Sequence, residues 1–278
     1  MVRRTLMFAV SLFGTARGAA QTPVGAGLTV GAARLSDART EQVVTGVLQI
    51  RPAPWLTMSA IPSVVRVSHD TSGTSASSGG LGDLPLVAGA TATLPVGWSP
   101  TLGGALIVSL PTGNAACGLG SGQATFGIDA GLGVAPTASL RFSADASRNL
   151  SGLAGQSSLT PSQATAVRLE TAADLAPRWT LGLSVGADVG SADSTQALTR
   201  IAAAGLTHAI AGALAVTVDA SHGLTTASPR WVVSVGFGTV FSGVSPVAPT
   251  SPLRRLQGSF GGAAGRSRGS GKIGGATC

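Results

Sequence analysis

Charge is scarce in this sequence: 10% of its 278 residues are Asp, Glu, Lys or Arg. Such a chain invites a search for membrane helices, yet none is convincing beyond the first twenty residues. The best rival, Ile201 to Val218, is interrupted by Gly205 and Gly212 and carries Thr207, His208 and Thr217. Cysteine is scarcer still. Cys117 and Cys278 are the two present, too few for a structural zinc site unaided. His69, His208 and His222 show no ligand spacing with one another or with a cysteine, so neither a metal nor another cofactor is expected. Tyrosine is absent and phenylalanine occurs seven times, which leaves material for only a thin aromatic belt.

A net positive charge is missing from the body as well, despite a formal net charge of +7 for the whole sequence. Three basic residues lie in 1–20 and five in 242–278. Between them, ten basic residues face all 11 acidic ones, leaving −1. The body therefore gives no reason to infer nucleic-acid binding.

What is present begins with a leader. Arg3 and Arg4 precede an apolar stretch from Leu6 to Gly14, and Gly18-Ala19-Ala20 offers small residues before a cut at Gln21. This reads as a signal peptide over 1–20, and its apolar run is too short to span a bilayer as a helix. The last segment, 242–278, is Pro-rich and then Gly/Ser/Arg-rich without apolar period, which reads as a disordered tail.

Residues 21–241 divide into about twelve strand-length segments: 25–36, 40–51, 54–68, 82–94, 100–111, 122–135, 137–149, 162–175, 178–190, 196–207, 211–222 and 229–241. A tilted transmembrane strand needs about 9–11 residues, and an even strand number is the rule for single-chain bacterial barrels. Compact connections, several with proline, alternate with longer Gly/Ser-rich ones at 69–81, 112–121 and 150–161. Short periplasmic turns opposite longer outer loops are the barrel pattern. Cys117 and Cys278 then fall on opposite sides of the membrane, which argues against a bond between them.

Period-two alternation supports the same architecture. Trp179, Leu181, Leu183, Val185 and Val189 share one strand face, while Thr180, Gly182, Ser184, Gly186 and Asp188 share the other. One apolar face and one polar face mark a strand between two different solvents. Basic residues facing lipid at the midplane cost about 2–4 kcal/mol. Arg66, Asp129, Arg141, Asp145, Arg168, Glu170, Asp188, Arg200 and Asp219 are accordingly the candidates for the inner surface. They serve either as a polar path that selects solutes or as a paired network that fills the interior. About eight strands enclose a filled interior and about sixteen an open channel; twelve lies between.

Trp55, Trp98 and Trp179 fall at or beside short turns, and Trp231 follows Pro229 at the start of the last strand, which suits rings at the headgroup level. That strand ends at Phe241, a terminal aromatic of the kind read by the barrel-assembly machinery, although Thr239 stands where a second aromatic is usual. Catalytic chemistry finds little footing. Ser221 and His222 are neighbours in a strand and point to opposite faces, so nucleophile and base cannot meet. Gly118-x-Gly120-x-Gly122 lacks the following helix that phosphate binding requires.

Three motifs carry a family resemblance: Leu81-Gly82-Asp83-Leu84, Leu110-Pro111-Thr112-Gly113 and Leu119-Gly120-Ser121-Gly122, in this order. With the following strand pair to Asn149-Leu150-Ser151-Gly152, they resemble the outer-membrane barrels associated with the meta-cleavage pathway of phenol degradation. The resemblance covers about 80–152. It implies a bacterial outer-membrane protein that aids uptake of hydrophobic or aromatic compounds. The expectation is thus an all-β chain, a closed antiparallel transmembrane β-barrel of about 12 strands behind a signal peptide, and not an enzyme. Its expected partners are outer-membrane lipids, the assembly machinery and a small hydrophobic or aromatic solute, with passive, porin-like transport as the function. A non-conducting structural or interaction barrel is the alternative, followed by a barrel-borne lipid hydrolase.

Overall fold

The computed structural model describes residues 24–71, 74–98, 100–150, 165–189, 199–211, 214–226 and 228–239. The expected leader, the tail and Phe241 lie outside the described residues. Fourteen strand segments form one antiparallel sheet: β1 (Val24–Ser36), β2 (Arg39–Ala53), β3 (Leu56–Ala60), β4 (Ser63–Thr71), β5 (Thr74–Leu81), β6 (Leu84–Thr93), β7 (Thr101–Leu110), β8 (Thr125–Thr137), β9 (Leu140–Asn149), β10 (Thr165–Ala176), β11 (Trp179–Val189), β12 (Arg200–Ala211), β13 (Leu214–Gly223) and β14 (Trp231–Thr239).

β3 and β4 lie end to end against β2, and β5 and β6 lie end to end beside them. The barrel therefore has twelve staves. The first break follows from Pro62, which has no N–H for the ladder. Its carbonyl still accepts from Gly46 N at 2.8 Å, and Gly82 N donates to Ser63 O at 2.9 Å, so pairing resumes on both sides. β14 pairs with β1 from Gly27↔Gly238 to Arg34↔Trp231, closing the sheet. A closed sheet has no unpaired edge, the condition for a strand protein to sit in hydrocarbon.

The two faces are as different as the alternation predicts. Leu28, Val30, Val44, Leu106, Phe126, Leu132, Leu183, Val185, Val218 and Val235 are exposed on the outer face. At the alternate positions around the barrel, Glu41, Thr45, Asp129, Asp145, Arg168, Ser184, Asp219 and Ser234 are buried on the inner face. A soluble protein would bury the apolar set. This inversion, with edgeless closure, makes the chain an outer-membrane barrel.

Compact connections join β2–β3, β6–β7, β8–β9, β10–β11 and β12–β13 at one end, by barrel convention the periplasmic one. Trp55, Trp98 and Trp179 stand exposed at this end; Trp179 also stacks on His208 with ring centroids 4.2 Å apart. At the other end, 69–81 departs from the expected outer loop. β4 continues to Thr71 and β5 begins at Thr74, with Ser68↔Ser77 and Val65↔Gly80 in register. The stretch is Gly/Ser-rich and lacks apolar alternation, so it reads as a loop. Backbone pairing needs no apolar side chain where both faces are polar. The expectation that Cys117 and Cys278 are not bonded to each other turns on Cys278, which lies outside the described residues.

Candidate functional site

The lumen is the candidate site, and its charges are arranged in small groups. On adjacent strands β8, β9 and β10, Asp129, Asp145 and Arg168 form a buried triad. Arg168 lies directly across from Asp145. Its Nε donates to Asp145 Oδ2 at 2.7 Å and a terminal nitrogen donates to Asp129 Oδ2 at 2.7 Å. Each of the three side chains is less than a tenth exposed. Gly127, Gly131 and Gly133 share Asp129's face of β8.

Toward the turn end, Arg141 holds Asp174 through two bonds of 2.6 and 3.0 Å, and Thr180 donates to the same carboxylate at 2.7 Å. Glu170 accepts from Ser143 at 3.2 Å. Asp188 accepts from the backbone and hydroxyl of Thr199 near the loop end. Asp219 is fully buried on β13, paired in register with Gly205 and Ser234. Seven of the nine sequence candidates thus face inward.

Arg66 and Arg200 do not. Val65 and Val67 are buried on the inner face, so Arg66 between them projects outward and is exposed. Ala203 and Gly205 are likewise inward on β12, which places Arg200 outside at the loop end. Both exceptions lie on the outer face near the loop end rather than at the midplane. There water and headgroups solvate a charge, so the cost that argued for an inward placement does not apply.

The connection between β7 and β8 folds inward over a carboxylate that the sequence candidates omitted. Asp83 is buried. It accepts Gly113 N at 3.1 Å, Ser121 N at 2.7 Å and Ser121 Oγ at 2.8 Å. Thr112 Oγ1 donates to Gly82 O at 2.7 Å. The three motifs that carry the family resemblance therefore meet in one place. Their glycines are required by contact. A Cβ on Gly120 would overlap Asp83 Oδ1 and lie 2.8 Å from Gly113 Cα. Between the motifs, a single 3-10 turn, Ala115–Cys117, is capped by Asn114 and closed by Gly118 at φ 69°.

This fold carries Leu119 into the barrel. Leu119 is buried with Ala33, Val43, Val65, Val67, Ala203 and Val232. All of these lie on inner faces near the loop end, so a collar of apolar side chains stands inside a wall that is otherwise polar. Ser78 on β5 ties the loop down by donating to Cys117 O at 2.8 Å. Glu41, outside the nine candidates, is buried beside the collar and takes two bonds from Arg39, at 3.1 and 2.5 Å. Its shared parity with Thr45, Gln49 and Arg51 already places it inward.

Among the described residues, eight carboxylates face inward (Glu41, Asp83, Asp129, Asp145, Glu170, Asp174, Asp188 and Asp219) against four arginines (Arg39, Arg51, Arg141 and Arg168). The inner wall is therefore net acidic. Ser221 is buried on the inner face while His222 is exposed on the outer one, so the two do not form a nucleophile–base pair.

No family model and no curated protein matches the chain. Solved structures do resemble it. An outer-membrane channel from Pseudomonas putida F1 is 15% identical with a TM-score of 0.56, over 82% of this chain and all of that one. The KdgM porin is 9% identical with a TM-score of 0.51, over 78% of this chain and 99% of that one. At such identities the likeness is one of fold.

Proposed function

We propose that the protein is a passive outer-membrane channel for small hydrophobic or aromatic solutes. The observation that carries this reading is the apolar collar of Val43, Val65, Val67, Leu119 and Val232 inside the barrel at its loop end. The valines are at most 7% exposed and pack on Leu119. A solute entering from outside therefore displaces Leu119 from an apolar contact, which an apolar body replaces better than a polar one, before it reaches the polar wall. Asp129, Arg141, Asp145, Arg168, Glu170, Asp188 and Asp219 then act as the solute path, offering donors and acceptors to a hydroxyl or carboxyl substituent. Small-solute passage is supported by the fold shared with an outer-membrane channel and a porin. The link to phenol meta-cleavage rests on the ordered motifs alone. In this reading the partners are outer-membrane lipids, the barrel-assembly machinery and the solute, with no cofactor and no nucleic acid.

Refolded protein in planar bilayers and in liposomes tests the proposal. Discrete conductance steps, with faster entry of a phenolic solute than of a sugar of equal size, are expected. Conductance without preference removes the solute class, and the absence of both conductance and flux removes the channel. One observation favours that second outcome: Arg168, Asp129 and Asp145 are less than a tenth exposed, as in a non-conducting barrel filled by its own side chains.

A further inference from the structure

We infer that the outer wall around β1, β2, β4, β13 and β14 carries a binding site for an outer-leaflet lipid bearing a phosphomonoester. The site is independent of whether the lumen conducts. A concavity of about 950 Å³ is lined by segments of these strands and β5. The inner-face residues at this register, Val43, Val65, Asp219 and Ser234, are at most 3% exposed. The accessible wall therefore belongs to the outward side chains: Val30, Val44, Val64, Val218, Val233 and Val235, which are 42–54% exposed, with Gln42 and Ser77 at and above the level of Arg66. Six valines form a smooth surface without polar atoms, suited to acyl chains.

Cationic groups stand at the loop-end rim of this surface, where the headgroups of the outer leaflet lie. Arg66 lines the concavity itself. Arg34 is on the outer face of β1, with Trp231 directly across from it. Arg34 Nε is shielded from solvent yet has no hydrogen-bond partner, a donor built in place without an acceptor. Arg66 has no ion pair among the described residues. Two carboxylates stand nearby. Asp37 in the β1–β2 turn lies 3.8 Å from Arg34 and accepts from Arg230 at 2.5 Å; Asp70 is four residues beyond Arg66 on the same face. Both are closer to the loop tips, so the level between them and the valines is cationic. A phosphate there takes charge-assisted bonds from two guanidinium groups, and its chains continue down the valines. Zwitterionic headgroups carry a compensating ammonium and gain less.

Trp231 reports occupancy. The experiment uses full-length protein with Trp55, Trp98 and Trp179 changed to Phe, reconstituted with brominated lipids that quench indole fluorescence. Brominated phosphatidate should quench Trp231 at a lower mole fraction than brominated phosphatidylcholine, by about fivefold for each arginine engaged. Arg34→Gln with Arg66→Gln should abolish the preference. Arg34→Lys with Arg66→Lys should retain part of it, and Arg148→Gln, on distant strand β9, should leave it unchanged. Equal quenching by the two lipids, or a preference that survives the double Gln variant, overturns the proposal. So does full reversal by millimolar inorganic phosphate, which would mark a site for free anions rather than lipid.

Discussion

Ser121 donates both its backbone N–H and its hydroxyl to one carboxylate oxygen of Asp83, at 2.7 and 2.8 Å. Thirty-eight residues of chain separate the two. This contact converts a loop of small residues into a fixed structure that presents Leu119 to the lumen. Hydrogen bonds to a charged group contribute about 1.5–3 kcal/mol each when buried.

Asp83→Asn should therefore release the loop while sparing the barrel. The amide keeps one acceptor but sets a donor against the Ser121 donors. Proteinase K should nick residues 111–124 at least tenfold faster than in the parent, since loss of about 1.5–3 kcal/mol of local stability raises the open population by that much or more. The barrel should still migrate anomalously on gels without boiling. Unchanged nicking would show that Asp83 does not hold the loop.

The glycines of that loop divide into two physical kinds, and substitution should separate them. Gly118 has φ 69° with nothing near its absent side chain. Gly118→Ala meets only the left-handed backbone penalty, about 1–2 kcal/mol. Gly120 is crowded by Asp83 and Gly113, so Gly120→Ala must displace the carboxylate and should reproduce the Asp83→Asn nicking pattern. Equal and mild effects from both would contradict the packing described.

Arg168→Met should be among the most damaging single changes in the barrel. It leaves Asp129 and Asp145 buried without their shared cation, a loss of about 3–5 kcal/mol for a broken buried pair. Refolding yield and urea midpoint should both fall. Adding Asp129→Asn and Asp145→Asn to Arg168→Met should recover most of the loss, because the uncompensated charges are then gone. Failure of the triple variant to recover would assign the defect to volume rather than charge.

Strand number and the facing of seven inner charges follow from period two alone, because a membrane barrel has two solvents and each residue must choose. Where the solvent distinction ends, so does the signal. The hairpin around Thr71 and Thr74 rises where both faces are polar, and its Ser/Thr/Gly content is uninformative about pairing. Arg66 and Arg200 face outward near the headgroup level, where the argument against an exposed charge no longer operates. Asp83 falls in the expected segment 82–94, whose two faces are both small or apolar, so parity could not assign it; it lies between β5 and β6. Its role emerges only when the chain brings residues 113 and 121 to it. The motif Leu119-Gly120-Ser121-Gly122 was recognisable as a pattern, yet its purpose is a contact that spacing does not encode.

The inner wall's excess of carboxylates predicts charge selectivity in an open lumen. With eight inward acids against four arginines among the described residues, reversal potentials across a salt gradient should favour cations. Asp188→Asn and Asp219→Asn together should weaken that preference, since fixed charge in a low-dielectric channel sets the local ion concentration. Anion preference in the unaltered protein would mean that residues outside those described dominate the field.

The collar makes the sharpest demand on the proposed solute class. Leu119 is 3% exposed and contributes the loop's apolar side chain to it. Leu119→Ala should widen the passage, raising single-channel conductance, while lowering discrimination between a phenolic solute and a sugar of equal size. Leu119→Asn keeps the branched four-atom side chain, with less loss of volume than Ala, but gives the collar a polar group. It should leave conductance close to the parent value and slow the phenolic solute several-fold, because apolar contact contributes about 0.8 kcal/mol per methylene buried. Volume and polarity are thereby separated at one position. If the two variants change the flux ratio equally, the collar acts as a sieve of size alone, and an apolar solute would have no special claim on this channel.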